Sequence, residues 1–321
     1  MEKNKKVLFV TEKWCDAGRP EKGLTNNYHN LFRTFESTFP DISYSIAHMD
    51  EYALLKQKNI DSFLPSLIDK ISPDIIIFSL LGKSHLNPSE VSFRHAKDAG
   101  CKTVFIWPDV FDGWGRSEIM KLNEKNLADL HVCWASEQNL DNDYDNLLWT
   151  WTPEDETLYF PLENGEKADI DVSFVGSPRY AERQNYLNYL LGTDIKINIA
   201  GGQREESLAP FKYAELIRRS KINLNFPGGP DGYDQVKGRV FETLASRSLL
   251  MERKNSATSQ YLTDGKHYIT FENESDLEEK IRYYLKHEEE REQIANDGYS
   301  LFKERYTAEI FWKNVMKELG E

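Results

Sequence analysis

The run PDIIIFSLL (73–81) is apolar almost throughout. A strand of that kind has no polar face to turn to water, so it fits a parallel sheet covered on both sides. KKVLFVT (5–11), SYSIAHM (43–49), KTVFIWP (102–108) and ADLHVCWA (128–135) are further short apolar runs. Stretches of helical spacing separate them. LTNNYHNLFRTFEST puts Tyr28, Leu31, Phe32 and Phe35 on one side, DSFLPSLIDKI carries Pro65 near a helix start, and PSEVSFRHAKDAGC opens at Pro88 and stops at Gly100. The alternation predicts a doubly wound α/β sheet of about five strands.

The pattern then breaks. LLWTWTPEDETLYFPLENGEKADI (147–170) is rich in proline and acids, has no helical period and reads as a linker. Alternation resumes with DVSFVGS (171–177), a helix in RYAERQNYLNYLL, KINIAGG (196–202), a helix in PFKYAELIRRS, KINLNF (221–226), a helix in GRVFETLASRS, and strands in SLLMER and KHYITF. SDLEEKIRYYLKHEEEREQIANDGYSLFKERY (275–306) is helical with an expected break near Gly298, and its HEEEREQ reads as a solvated face. TAEIFWKNVMKEL gathers Phe311, Trp312, Val315, Met316 and Leu319 into one arc, an amphipathic closing helix. The expected organisation is two Rossmann-like domains (1–150 and 169–302) with a cleft between them, a linker at 151–168 and a closing segment at 303–321.

Bulk properties narrow the function. The length of 321 residues suits two domains, and 40% hydrophobic with 12% aromatic residues argues against a disordered chain. The 53 acids against 40 bases give a net charge of −13, which argues against a nonspecific nucleic-acid coat but leaves a local basic groove open. Cys15, Cys101 and Cys133 are scattered, with no CxxC, and read as reduced thiols. MEKNKKVLFVTEKW has too few apolar residues for a secretion leader, and no run approaches a membrane span. A soluble, cytoplasmic protein is the expectation.

In open α/β sheets ligands bind beyond the carboxyl ends of the strands, so the loops there hold the candidate chemistry. PGGPDGYDQVKGRVFETLASRS (227–248) follows such a strand. Gly228 and Gly229 allow close approach, and Asp234, Lys237, Arg239 and Glu242 follow. At about 100° per residue, Arg239, Glu242, Thr243 and Ser246 share one helix face, and Val240, Phe241, Leu244 and Ala245 pack on the sheet. A helix N-terminus beside Lys237 and Arg239 suits phosphate, and the Glu242 carboxylate can accept hydrogen bonds from sugar hydroxyls. The plainer alternative is an Arg239–Glu242 pair on a solvated face, worth about a few tenths of a kcal/mol. FVGSPRYAERQ (174–184) offers Gly176 and Ser177 with Arg179 and Arg183, a diphosphate clamp or an ordinary βα loop with surface arginines. WPDVFDGWG (107–115) holds Asp109, Asp112 and two tryptophans, fitting a sugar-like acceptor or an acidic turn with packed rings. His85 follows the third strand, as an acceptor-side group or a local loop contact. No GxGxxG, GxSxG, Walker A or metal-ligand spacing is present.

Taken together, DVSFVGSPRYAERQNYL, YAELIRRSKINLNFPGG, GRVFETLASRSLLM and YLTDGKHYITFENESDLEEKIRYYL resemble the group 1 nucleotide-sugar glycosyltransferases, in particular the CgeB-like (spore-maturation-type) branch. The likeness covers about residues 150–312, and TPEDETLYFP is similar to the family's joining segment. It implies the GT-B fold, two facing Rossmann-like domains with the donor held by the second and the last helix crossing back to the first. It implies retaining transfer from a nucleoside diphosphate sugar to an unidentified acceptor, with no metal or other cofactor. A sugar-nucleotide epimerase or phosphorylase, or a degenerate nucleotide-binding protein, are the alternatives. Many relatives carry two glutamates eight positions apart. Glu242 matches the second, a hold on the ribose, whereas Asp234 stands at the first. Lys237 and Arg239, with Arg179 or Arg183, are the implied partners of the diphosphate. Asp109, backed by His85, is the candidate for activating the acceptor.

Overall fold

The computed structural model describes residues 5–15, 19–108, 113–134, 144–163, 165–178, 181–201, 208–228 and 233–321. They form two compact units, Met1–Pro153 with Ala308–Glu321, and Glu154–Thr307.

The first unit is built on β1 (Lys6–Thr11), β2 (Ser43–His48), β3 (Ile75–Ser79), β4 (Lys102–Trp107), β5 (Leu130–Trp134) and β6 (Leu147–Thr150), in the order β2-β1-β3-β4-β5-β6. All five pairings are parallel. The period of two divides each strand between the layers. Leu8, Val10, Ile76, Phe78 and Phe105 pack with the α3 (Leu64–Ile71) and α4 (Glu90–Asp98) side. Val7, Phe9, Ile75, Ile77 and Val104 pack with Phe32 and Phe35, around a π-helical turn (Tyr28–Arg33) that runs into α1 (Thr34–Thr38). Between these lie α2 (Met49–Lys56) and, after β4, α5 (Gly113–Glu124).

β6 corrects the reading of 147–170 as linker throughout. Leu147–Thr150 pairs with β5, and only four residues long it is too short to show a period.

The second unit orders β7 (Ile170–Val175), β8 (Ile197–Ala200), β9 (Ser220–Asn225), β10 (Leu249–Arg253) and β11 (Ile269–Phe271) as β11-β10-β9-β7-β8, again all parallel. α6 (Ala181–Leu191), α7 (Pro210–Arg218), α8 (Gly238–Ala245), α9 (Glu274–Lys286) and α10 (Glu288–Arg305) complete it. The chain steps from β7 outward to β8, then returns to lay β9 on the other side of β7. That reversal is the switch point at which such sheets open a crevice.

The helical break falls at His287, between α9 and α10, and not at Gly298. Gly298 lies inside α10 because a side chain there would meet the His267 carbonyl oxygen at 2.7 Å and Leu244 at 3.4 Å. Within HEEEREQ, Glu288–Glu290 are exposed, but Arg291 is buried and donates to the Tyr284 carbonyl at 2.8 Å. The last helix, α11 (Ala308–Glu318), belongs to the first unit. Phe311, Trp312, Val315 and Met316 join its core, and Trp312 Nε1 donates to Thr34 Oγ1 at 2.8 Å.

Candidate active site

Gly176 and Phe226–Gly228 leave the carboxyl ends of β7 and β9, so they flank the switch point of the second sheet. Gly176 has φ +149°, and a Cβ there would lie 2.5 Å from Arg239 Nη2. The end of Arg239 therefore occupies the space a side chain at 176 would need. Arg239 Nη1 donates to Asn225 Oδ1 at 2.6 Å, and its guanidinium lies 5.1 Å from the Phe174 ring centre. Nε is buried and makes no hydrogen bond among the described residues. The arginine is thus held from two sides, with Nε unmatched among the described residues. It takes Asn225 rather than Glu242, so the surface i,i+3 pair does not form.

α8 starts after Lys237, whose side chain makes no cap, so the first-turn N–H groups are not closed off by an N-cap side chain. The expectation of a polar face turned away from the core needs correction. Glu242, Thr243 and Ser246 are as buried as Val240 and Phe241, because α8 lies against β9, β10, α7 and α10 together. Glu242 accepts from Tyr213 Oη at 2.6 Å and Tyr159 Oη at 3.3 Å. Burial raises its carboxyl above the usual range, against those two bonds and the charge of Arg239, and burial likewise lifts both phenols well above theirs. Tyr159 lies in the supposed linker, where no periodicity announces it, and is 1% exposed.

Arg183 is buried and committed to backbone. Nη1 donates to the Ser177 carbonyl at 3.1 Å, and Nη2 to those of Gly228 at 2.9 Å and Phe226 at 3.4 Å. It staples the loop after β7 to the loop after β9. Asp234 pairs with Arg253, which also pairs with Glu182. Asp234 further forms an antiparallel bridge with Gly228, where a Cβ would come 2.6 Å from Glu182 Oε2. The carboxyl end of PDGYDQ is therefore pinned, with Gln235 and Val236 buried. Lys237 is half-buried at the start of α8.

Asp109, Asp112, Arg179 and Gly229 lie outside the described residues. His85 is exposed in the first unit, where its carbonyl accepts from Asn59 Nδ2 at 2.6 Å. Trp107 offers no ring to a sugar. It is 1% exposed, stacked on Phe105, and donates from Nε1 to His131 Nδ1 at 3.0 Å.

Sequence reasoning missed Tyr159, Tyr213, Asn225 and Glu252. The available signal was polar residues in otherwise apolar strands, Asn225 near the end of KINLNF and Glu252 inside SLLMER.

Residues 163–319 match a family described as glycosyl transferase-like. No characterised protein matches the chain in sequence. Among solved structures, Anabaena Alr3699/HepE, in complex with UDP and glucose, is similar over 98% of this chain and 99% of its own, with TM-score 0.63 and 12% identity. A glycosyltransferase from Rickettsia africae covers 98% of both chains with TM-score 0.61 and 12% identity. The DNA-modifying enzyme β-glucosyltransferase, studied with uridine diphosphoglucose, covers 98% and 100% with TM-score 0.58 and 14% identity. At such identities the likeness shows the fold, which is GT-B. Fold and family match together place the chain among the glycosyltransferases. The matched region is of the group 1 type. Among the described residues no helix is long and apolar enough to cross a membrane.

Proposed function

We propose that the chain transfers a hexosyl group from a uridine diphosphate sugar to an acceptor nucleophile, with retention and without a metal, and that it belongs to the CgeB-like branch. One observation carries this: Arg239 stands at the switch point, its Nε taken by none of the described residues, beside the N-terminus of α8, which has no side-chain cap. In the transfer, the bond from the sugar's anomeric carbon to the diphosphate oxygen breaks and its electron pair stays on the diphosphate. A bond to the acceptor forms, and the acceptor's proton leaves to a base, for which Asp109 is the candidate. Negative charge develops on the leaving group, where Arg239, Lys237 and the α8 N–H groups meet it. Glu242, fixed by two tyrosines, presents acceptor oxygens to ribose hydroxyls. Arg183 shapes the crevice by joining its two loops. UDP in complex with similar folds supports uridine as the base.

The test is incubation with a panel of UDP-, GDP- and ADP-sugars. Release of UDP, slow without acceptor and unaffected by EDTA, is expected. Interconversion of donor sugars without release would make the protein an epimerase, and binding without either product would make it a nucleotide-binding protein.

A further inference from the structure

A buried carboxylate that this chemistry does not use lies one side chain behind Arg239. Glu252, on β10, is 0% exposed. Its Oε1 accepts from Asn225 Nδ2 at 2.6 Å and its Oε2 from Asn255 Nδ2 at 3.1 Å. Each asparagine turns its NH2 group to Glu252 and its oxygen away. Asn225 Oδ1 takes Arg239 Nη1 at 2.6 Å, and Asn255 Oδ1 takes the Thr258 N–H at 2.7 Å. Asn255 Nδ2 also reaches the Arg253 carbonyl at 2.9 Å.

This arrangement fits the ionised carboxylate, which only accepts. The Thr258 hydroxyl also meets this carboxylate. Protonation at Oε1 sets an O–H against the Asn225 N–H, and that amide would have to turn. Asn255 is tied to backbone at two further points, whereas Asn225 is tied beyond Glu252 only to Arg239 in this chain of contacts. Turning Asn225 shows an NH2 to a guanidinium, which has donors alone, so Arg239 loses its anchor.

We propose that Glu252 is a positioning residue, whose ionised form orients Asn225 to hold Arg239 at the switch point and whose protonation releases it. The inference rests on the leaving-group role given to Arg239 above. Burial pushes the Glu252 carboxyl up to about 7, so the change of state falls near neutral pH. Asp234 adds to that rise. Tyr268, beside β11, faces the same carboxylate, and Arg239 on α8 reaches it through Asn225.

The test compares UDP release by the full chain and by Glu252→Gln, Arg239→Ala and the double variant from about pH 5.5 to 9. Wild-type kcat should fall on the acid side of about 7. Glu252→Gln should turn over about tenfold more slowly at alkaline pH, without that acid limb, and add little to Arg239→Ala. Losses that multiply, or an acid limb kept by Glu252→Gln, would overturn the proposal. Should Glu252→Gln not fold, Asn225→Ala cuts the same link and is judged by the same criteria. Should the wild-type chain turn over no donor, the proposed function falls, and the crystal structure of Glu252→Gln then decides this point alone. Arg239 displaced from Asn225 supports it, and Arg239 unmoved refutes it.

Discussion

The two sheets share a parallel, doubly wound design but differ in what they bury. Among the described residues of the first unit, Asp50 is the buried carboxylate, and it accepts from the N–H groups of Lys13, Trp14 and Glu51. Its buried His131 is neutral, pushed down to about 3 by burial, with Trp107 and Asn123 on its two nitrogens. These groups finish the local fold. At that sheet's own reversal, between β1 and β3, Glu12 ties down Thr25 and Asn27, and Asn27 reaches Ser79. The second unit buries Glu154, Asp155, Arg183, Glu242, Glu252 and Arg291, and half-buries Arg239. Burying charge is unfavourable unless every group is met, and it is weak as a source of stability. Arg183, Arg239, Glu242 and Glu252 line or back one sheet edge. The difference is what supports the proposed donor site in the second unit.

The largest effect that would break this comparison is at Arg239. Arg239→Ala should lower kcat for UDP release by about 10²–10³, as removal of a charge-stabilising donor does elsewhere. Asp50→Asn in the first unit should lower Tm and leave donor affinity within about twofold. Equal losses of turnover from both would erase the distinction.

Next is Gly176→Ala. Its backbone lies in the region that favours glycine, and the new methyl would press on Arg239 Nη2. Turnover should fall about tenfold and stability by about 1–3 kcal/mol. A variant with normal kcat would mean that the position of Arg239 does not matter.

Glu252 ranks third. Its folded carboxyl is raised from 4.5 to about 7. The folded chain thus binds this proton more tightly than the unfolded chain. The group's favourable contribution is complete below about 4.5 and is lost as pH rises through about 7, a change of about 3 kcal/mol. Glu252→Gln escapes that loss. Its Tm relative to wild type should climb between about pH 5 and 8 and then level off. A difference independent of pH would contradict the burial of this carboxylate.

The smallest expected effects sharpen the role of Glu242. Tyr213→Phe removes a 2.6 Å bond and Tyr159→Phe a 3.3 Å bond. Each should destabilise by about 1–2 kcal/mol, Tyr213→Phe more, with weaker UDP binding. Unfolding and titration calorimetry on the same samples would check both.

Much of the fold was legible because strand and helix periods expose which face is covered. β3 is buried at every position, as PDIIIFSLL required, and the apolar arc of α11 found its core. The meeting of the loops after β7 and β9 was legible too, since Gly176, Gly228 and Arg239 converge on one reversal. What stayed hidden depends on layers that meet only in three dimensions. The polar face of α8 looked like a surface because the period cannot show that α7 and α10 cover it. Gly298 looked like a break because close helix packing and helix termination both call for glycine. Tyr159 and Glu252 were invisible because one buried polar group in a linker or a strand has no pattern.

The most direct test is a crystal structure of the chain with UDP. The diphosphate should lie within hydrogen-bonding distance of Arg239 and the first turn of α8, with the ribose at Glu242. UDP bound at the edge of the first sheet, or a diphosphate out of reach of Arg239, would contradict the account.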